Sequence, residues 1–479
     1  MQAILEKITR FIEENRQNIL DDLCSLCRID SVAHTKGGGF PYGKGVDDAL
    51  CMAQKLCDEH GIDCKVSHDL GYATSKVTRG EKTIGFFSHC DVVPANAKEW
   101  TKTQPFTPLF DGAHLYCRGS EDNKAAAIGG IYISEMIKKG ILPIKSSFLC
   151  YFGGNEECGM DDLKSFIKNE KLPDLSLVPD NGYPVCVGEK GIARFSAKSK
   201  KSFRTVTKFD GGTVVNAVIG TLEAEIGYTK ELFDELSEKI DDKFSLSQKD
   251  GKICLCAFGK STHAANPKSG ENAAIMAAQL LCSCKNFDEN DKELLSALLS
   301  LCADYYGAGA GITAEDENFG KNTFVLGISR CKDEKGCFEF DSRFGRGIST
   351  EMILDNIRIA FEKAGFEYSV KEVKDCYVTN TDEKYVEALM RTYAKMCGVQ
   401  RETLSPHYSA GGTYARLLNS PCGSLGLSIH NFAGLDVPKT DLPSGHGEAH
   451  QADECIFFDA FLKGIVTDAM IIYELDKLM

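Results

Sequence analysis

Between residues 83 and 179 the chain alternates apolar runs of strand length with stretches of helical spacing, and this pattern restricts the fold more than any other feature. Residues 83–93 (Thr-Ile-Gly-Phe-Phe-Ser-His-Cys-Asp-Val-Val) read as a buried strand that ends in polar groups. Residues 123–138 read as a helix with Asp122 as its N-cap, and 160–169 as a second helix. Segments 146–152 and 175–179 read as further apolar strands. Strands and helices in alternation imply an α/β fold, a mainly parallel sheet with helices on both faces.

The texture changes from about residue 191. Segments 192–199 and 337–345 alternate in polarity, with Phe338, Phe340 and Phe344 on one face and Glu339, Asp341 and Arg343 on the other. Such alternation predicts half-exposed strands of an antiparallel sheet. Helical patterns at 269–284 and 350–364 lie between such strands. From about 381 the first texture returns, closing with a long helix over about 454–477. The simplest organisation is one α/β domain, residues 1–190 and 381–479, interrupted by an inserted α+β domain over 191–380.

A formal net charge of -14 argues against a nucleic-acid partner, which requires a basic surface. No run of 18 consecutive apolar residues is present, so no membrane span is expected. Met1 to Leu26 is a charged amphipathic pattern without the apolar centre of a signal peptide. Together with 21 cysteines, this predicts a reducing, cytoplasmic setting. Cys24 and Cys27 form a CxxC, but no second pair completes a zinc site, so they read as helix packing.

Five places in the α/β portion carry carboxylate or imidazole groups just after an apolar strand or turn. Open α/β sheets bind ligands at the carboxyl ends of their strands, so these places should converge. In Ser88-His89-Cys90-Asp91, His89 could ligate a metal while Asp91 fixes its other ring nitrogen. A hydrogen-bonded histidine at a strand end is the simpler reading of that string alone. Asp122 alone reads as a helix cap. Glu156-Glu157 alone reads as surface, yet the glycines around the pair permit an unusual loop, and two carboxylates offer a ligand and a general base. Asp180 alone reads as a turn residue, and His450-Gln451-Ala452-Asp453-Glu454 as a surface patch.

Taken together, HCDVVP, YCRGSEDNK, NEECG, PDNG, GEKG, GKSTHAANP, FDSRFG, GGTYAR and HQADE resemble the co-catalytic metallopeptidase family of carboxypeptidase G, desuccinylase and carnosinase. Within it, GEKG and GGTYAR look most like the bacterial PepV branch and its Xaa-His dipeptidase relatives. The resemblance spans about residues 28–458.

It implies a dipeptidase with two divalent metal ions, zinc, manganese or cobalt, which suit oxygen-rich ligation with two imidazoles. Asp122 would bridge the ions, with His89 and Asp180 on one and Glu157 and His450 on the other. Asp91 would orient His89, and Glu156 would act as general base. From the inserted domain, His263 would donate to the oxyanion, and Asn216 and Arg343 would hold the substrate carboxylate. Gly411 and Gly412 would line that pocket. A lid role for the insert and a monomeric state are also implied. An N-acyl amino acid deacylase or desuccinylase shares the same metal ligands. A non-catalytic metal-binding protein would lack a ligand or base, and none is missing.

The sequence departs from the family at Cys117, Asn123 and Ala125, none of them an implied ligand. His446 lies four residues before His450 and is the rival ligand there. His60, His68, His114, His407 and His430 read as structural or surface residues.

Overall fold

The computed structural model describes residues 2–34, 39–430, 432, 435–443 and 445–479. It resolves into two compact units. The first comprises 1–188, 378–407 and 413–479, and the second comprises 189–377 and 408–412.

The first unit opens with helices α1 (Gln2–Glu14), α2 (Arg16–Cys27) and α3 (Lys44–Glu59). Strands β1 (Cys64–Ser67), β2 (Tyr72–Val77) and β3 (Thr83–His89) follow, then α4 (Lys124–Lys138), β4 (Ser147–Gly153), α5 (Asp161–Asn169), β5 (Leu175–Val178) and β6 (Cys186–Glu189). Across the sheet the order is β1-β2-β4-β3-β5, then the strand Ser424–Gly426, then β6. Its centre is parallel, β3 pairing with β4 and β5, and β5 with Ser424–Gly426. The flanks, β1-β2, β2-β4 and Ser424–Gly426 with β6, are antiparallel.

Successive residues of a strand point to opposite faces, and β3 shows the consequence. Phe86 packs with Cys150 beneath Gly130 of α4. Phe87 stacks on the other face against Tyr151 and Phe166 of α5. Helices thus cover both faces, as the alternation of patterns requires. The Cys24–Cys27 pair lies at the end of α2, and both cysteines are free thiols.

Element ends depart from the sequence reading. The first strand stops at His89 rather than 93, because Cys90 onward leaves the ladder for the site loop. Asp122 is not a cap: α4 begins at Lys124 after Asn123, and the Asp122 carboxylate faces two histidines instead. The last helix begins at Phe458, since Cys455–Phe457 form a strand. That strand pairs with His114–Tyr116 in a small three-stranded sheet. Residues 267–269 form a short 3-10 turn before the helix Ala273–Ser283.

In the second unit an eight-stranded sheet includes Lys335–Phe344 paired antiparallel to Thr323–Lys332 and to Gly191–Ser199. Phe338, Phe340 and Phe344 are buried as expected, but so are Asp341, Ser342 and Arg343. The expected half-exposed face is therefore closed at this end. Asp341 binds both Arg194 and Arg343 there, so the charges are paired rather than hydrated. Among the described residues, no helix is long and apolar enough to cross a membrane.

His60 ties three helices of the first unit together. Just after α3, its ring reaches Asp22 of α2 at 3.0 Å and Glu135 of α4 at 2.6 Å. Burial alone would lower its pKa, but the two carboxylates outweigh it and raise it from 6.5 to about 9. A folded-state pKa above the unfolded one gives stability that is complete below pH 6.5 and lost as pH rises through about 9. His60→Gln is expected to lower stability by at most about 3 kcal/mol on the acid side, with the difference vanishing on the alkaline side. Denaturant melts of both proteins across that range check it, and a pH-independent difference would reject the charged pairing.

Candidate active site

The three parallel strands β4, β3 and β5 run in one direction, so their carboxyl ends lie along one edge of the sheet. β3 ends at His89, directly opposite Gly153 at the end of β4. Glu156 and Glu157 follow β4, and Asp180 follows β5. Asp122 enters from the turn before α4. The 446–454 loop is brought in by the small sheet, where the Cys117 N–H donates to the Glu454 carbonyl at 3.0 Å.

Asp122 is central. Its Oδ1 stands 3.0 Å from His89 Nε2, and its Oδ2 stands 2.9 Å from His450 Nε2. His89 Nε2 also faces Asp180 at 3.7 Å, and His450 Nε2 faces Glu157 at 3.1 Å. Ligand atoms of His89, Glu156 and Asp180 lie mutually within 4.8 Å, as do those of His89, Asp122 and Glu157. His446, the rival, is held by Asp453 at 2.7 Å. His450 adopts a left-handed backbone, φ 67°, a strained state that persists where surroundings over-determine it.

The electrostatics follow from crowding. Burial lowers the basicity of His89 and His450, but the facing carboxylates prevail, raising His89 well above its ordinary value and His450 to about 11. Burial and then Asp122 raise Asp180 to about 6, and burial followed by Asp180 raises Glu156 well above the usual carboxylate range. Asp122 falls below that range because the two histidines overcome its burial.

These residues fit a divalent-cation pair. Glu156 Oε1 is buried without a hydrogen-bond partner, and the buried His89 Nε2 and Asp122 Oδ1 lie 3.0 Å apart without hydrogen-bonding geometry. Buried polar atoms are almost always satisfied, so converging lone pairs without donors mark a place for a cation. The donors are carboxylate oxygens and imidazoles, suited to zinc, manganese or cobalt.

Supporting contacts fix this geometry. His89 Nδ1 lies 2.9 Å from the Asp91 backbone carbonyl and 3.5 Å from its carboxylate. The carbonyl therefore orients the ring, whereas the sequence spacing suggested the carboxylate. The Asp91 carboxylate instead accepts from the Glu156 and Glu157 backbone N–H groups at 3.0 and 3.1 Å, and holds that loop. Burial raises Asp91 to about 7.

The same loop explains its glycines. A Cβ on Gly153 would fall 1.8 Å from Tyr414 Oη. Tyr414 donates to Asp162, which also accepts from Gly154 N. Asn123, a departure from the family, accepts from His89 N at 3.2 Å and donates to Asp180 Oδ1 at 3.1 Å. An aspartate could not make the second bond.

Two residues escaped the sequence reading. Glu454, within the HQADE string, accepts from Glu121 N at 2.9 Å and Asp122 N at 3.1 Å, and binds Arg118 at 2.5 Å. His430, read as structural or surface, pairs with Glu121 beside Asp122 at 2.9 Å.

The remaining expected residues lie in the second unit. Asn216 and His263 are neighbours, since Ala264 N donates to the Asn216 carbonyl at 2.8 Å. His263 Nδ1 accepts from Ala265 N at 3.2 Å. Arg343 binds Asp341 at 2.6 Å and donates to the Ala410 carbonyl at 3.0 Å, beside Gly411 and Gly412.

The model for peptidase family M20/M25/M40 matches residues 85–473. The chain belongs to this family. It is a hydrolase of peptide bonds. A Bacillus subtilis (strain 168) relative named "Putative dipeptidase YtjP" is 27% identical, covering 96% of this chain and 98% of its own. Among solved structures, the dipeptidase Dug1p of Saccharomyces cerevisiae aligns with TM-score 0.61 at 14% identity, covering 100% of this chain and 99% of that one. Human carnosine dipeptidase 1 aligns with TM-score 0.58 at 13% identity, covering 99% and 100%. These likenesses match the α/β fold with its inserted α+β unit.

Proposed function

We propose that this M20 peptidase is a dipeptidase that cleaves short peptides, Xaa-His dipeptides among them, with water activated at a pair of divalent cations. The observation that carries it is Asp122, whose two oxygens face two different imidazoles at 3.0 and 2.9 Å. His89 and Asp180 would hold one cation, Glu157 and His450 the other, and Asp122 both. Cations bound there supply a lowered water pKa and polarisation of the scissile carbonyl.

The chain's own groups do the rest. Glu156 accepts a proton from the attacking water at its unpaired Oε1 and delivers it to the departing nitrogen. Asp91 fixes Glu156 through its backbone, and fixes His89 through its own carbonyl. His263 would donate from Nε2 to the developing oxyanion, an effect worth about 3 kcal/mol. Asn216, Arg343, Gly411 and Gly412 would bind the substrate's carboxylate end. Arg343 already holds Asp341, so it would act with its remaining N–H capacity. We further propose a cytoplasmic monomer with the inserted unit as lid.

A substrate panel tests the reading. The protein loaded with zinc or manganese should cleave carnosine, Ala-His and Leu-Gly, and spare a tripeptide. Chelation should stop turnover, and metal should restore it. Cleavage of N-acetyl or N-succinyl amino acids alone would replace the dipeptidase with a deacylase on the same cluster.

A further inference from the structure

Away from this cluster, one other group of potential ligands converges among the described residues. The ligand atoms of Asp47, Cys51 and His68 all lie within 4.8 Å of one another. We propose that these three residues hold a further divalent cation of the zinc class.

The placement follows from the local structure. Asp47 and Cys51 are four residues apart on α3 and therefore share a face. His68 sits in the turn between β1 and β2. Its Nδ1 is 2.5 Å from Asp47 Oδ1, and Cys51 Sγ is 3.9 Å from Asp47 Oδ2. A tetrahedral centre with bonds of about 2.0–2.3 Å separates its ligands by about 3.3–3.8 Å. The sulfur therefore already stands close to its required distance. The imidazole must withdraw by about 1 Å, and its side chain is 52% exposed, which leaves solvent-side room for that shift. Asp47 is buried. One thiolate, one imidazole and one carboxylate with a water in the fourth position match zinc, and the sulfur selects against magnesium and calcium.

The position gives the cation a purpose. A Cβ on Gly154 would fall 2.6 Å from Val46 Cγ1 and 2.7 Å from the Gly71 carbonyl oxygen. The start of α3 and the β1–β2 turn thus both press on the loop that carries Glu156. A cation clamping Asp47 and Cys51 to His68 would brace that contact from behind.

The test uses the full chain stripped of metal and titrated with cobalt(II). Three equivalents should bind, and a near-ultraviolet thiolate-to-cobalt band should appear. Cys51→Ser and His68→Ala should each lose the band and one equivalent, with circular dichroism unchanged. Cys24→Ser and Cys158→Ser, which remove other thiols, should keep both. Binding of two equivalents without the band overturns this site and leaves the catalytic pair intact. A band that survives Cys51→Ser also overturns it. Loss of the catalytic pair would instead lower the stoichiometry and leave the band.

Discussion

Glu156→Gln is expected to cut turnover of a dipeptide by about a thousandfold or more while the protein keeps its full complement of divalent cation. The substitution preserves side-chain volume and the backbone N–H that Asp91 accepts from, so the loop should stay in place. What it removes is the group proposed to take and return a proton. Glu156 is buried, and its Oε1 has no hydrogen-bond partner, so no other contact depends on that oxygen. Measuring kcat together with metal content separates two roles that the geometry alone allows. Ligand atoms of Glu156, His89 and Asp180 stand within 4.8 Å, close enough for a shared cation. Turnover lost with cation retained is the mark of a base. Loss of cation in parallel would make Glu156 a ligand, and full turnover in the variant would remove it from the chemistry.

How much of this was legible in the sequence depended on the range of the interaction. His89, Glu156 and Asp180 could be placed because each ends or follows a strand, and strand direction is a local property that a parallel sheet converts into proximity. The alternation of apolar runs and helical spacing likewise fixed the α/β class. Local pattern failed where distant segments decide. Asp122 looks like a cap because caps are local, yet its carboxylate is claimed by His89 and His450. Asp91 lies two residues from His89, which suggested a carboxylate-to-ring bond. Its carboxylate was drawn away by the Glu156 and Glu157 amides, 65 and 66 residues along the chain. Asp341 and Arg343 alternate with phenylalanines as exposed residues do, but they are buried because Arg194 and Asp341 neutralise one another across strands. The return of residues 408–412 to the second unit has no signal in composition at all. Nothing in the spacing of Asp47, Cys51 and His68 showed that a turn would bring the histidine onto the helix.

Glu454 provides the second large effect, and its test separates stability from site geometry. This buried carboxylate binds the buried Arg118 at 2.5 Å and accepts from the amides of Glu121 and Asp122. Glu454→Leu leaves the Arg118 charge uncompensated beside Trp100, which should cost about 3–5 kcal/mol of stability. It also strips the acceptor that holds the Asp122 backbone, and losing such an outer partner of a ligand weakens metal affinity by about 10–100-fold. The double variant Glu454→Leu with Arg118→Met distinguishes the two consequences. With both charges gone, stability should return most of the way, since an apolar replacement of a buried ion pair is often close to neutral. Cation affinity should not return, because the Glu121 and Asp122 amides still lack their acceptor. Affinity recovering together with stability would reduce Glu454 to a packing residue. Affinity that stays low in a stable protein would show that it positions the carboxylate shared by the two histidines.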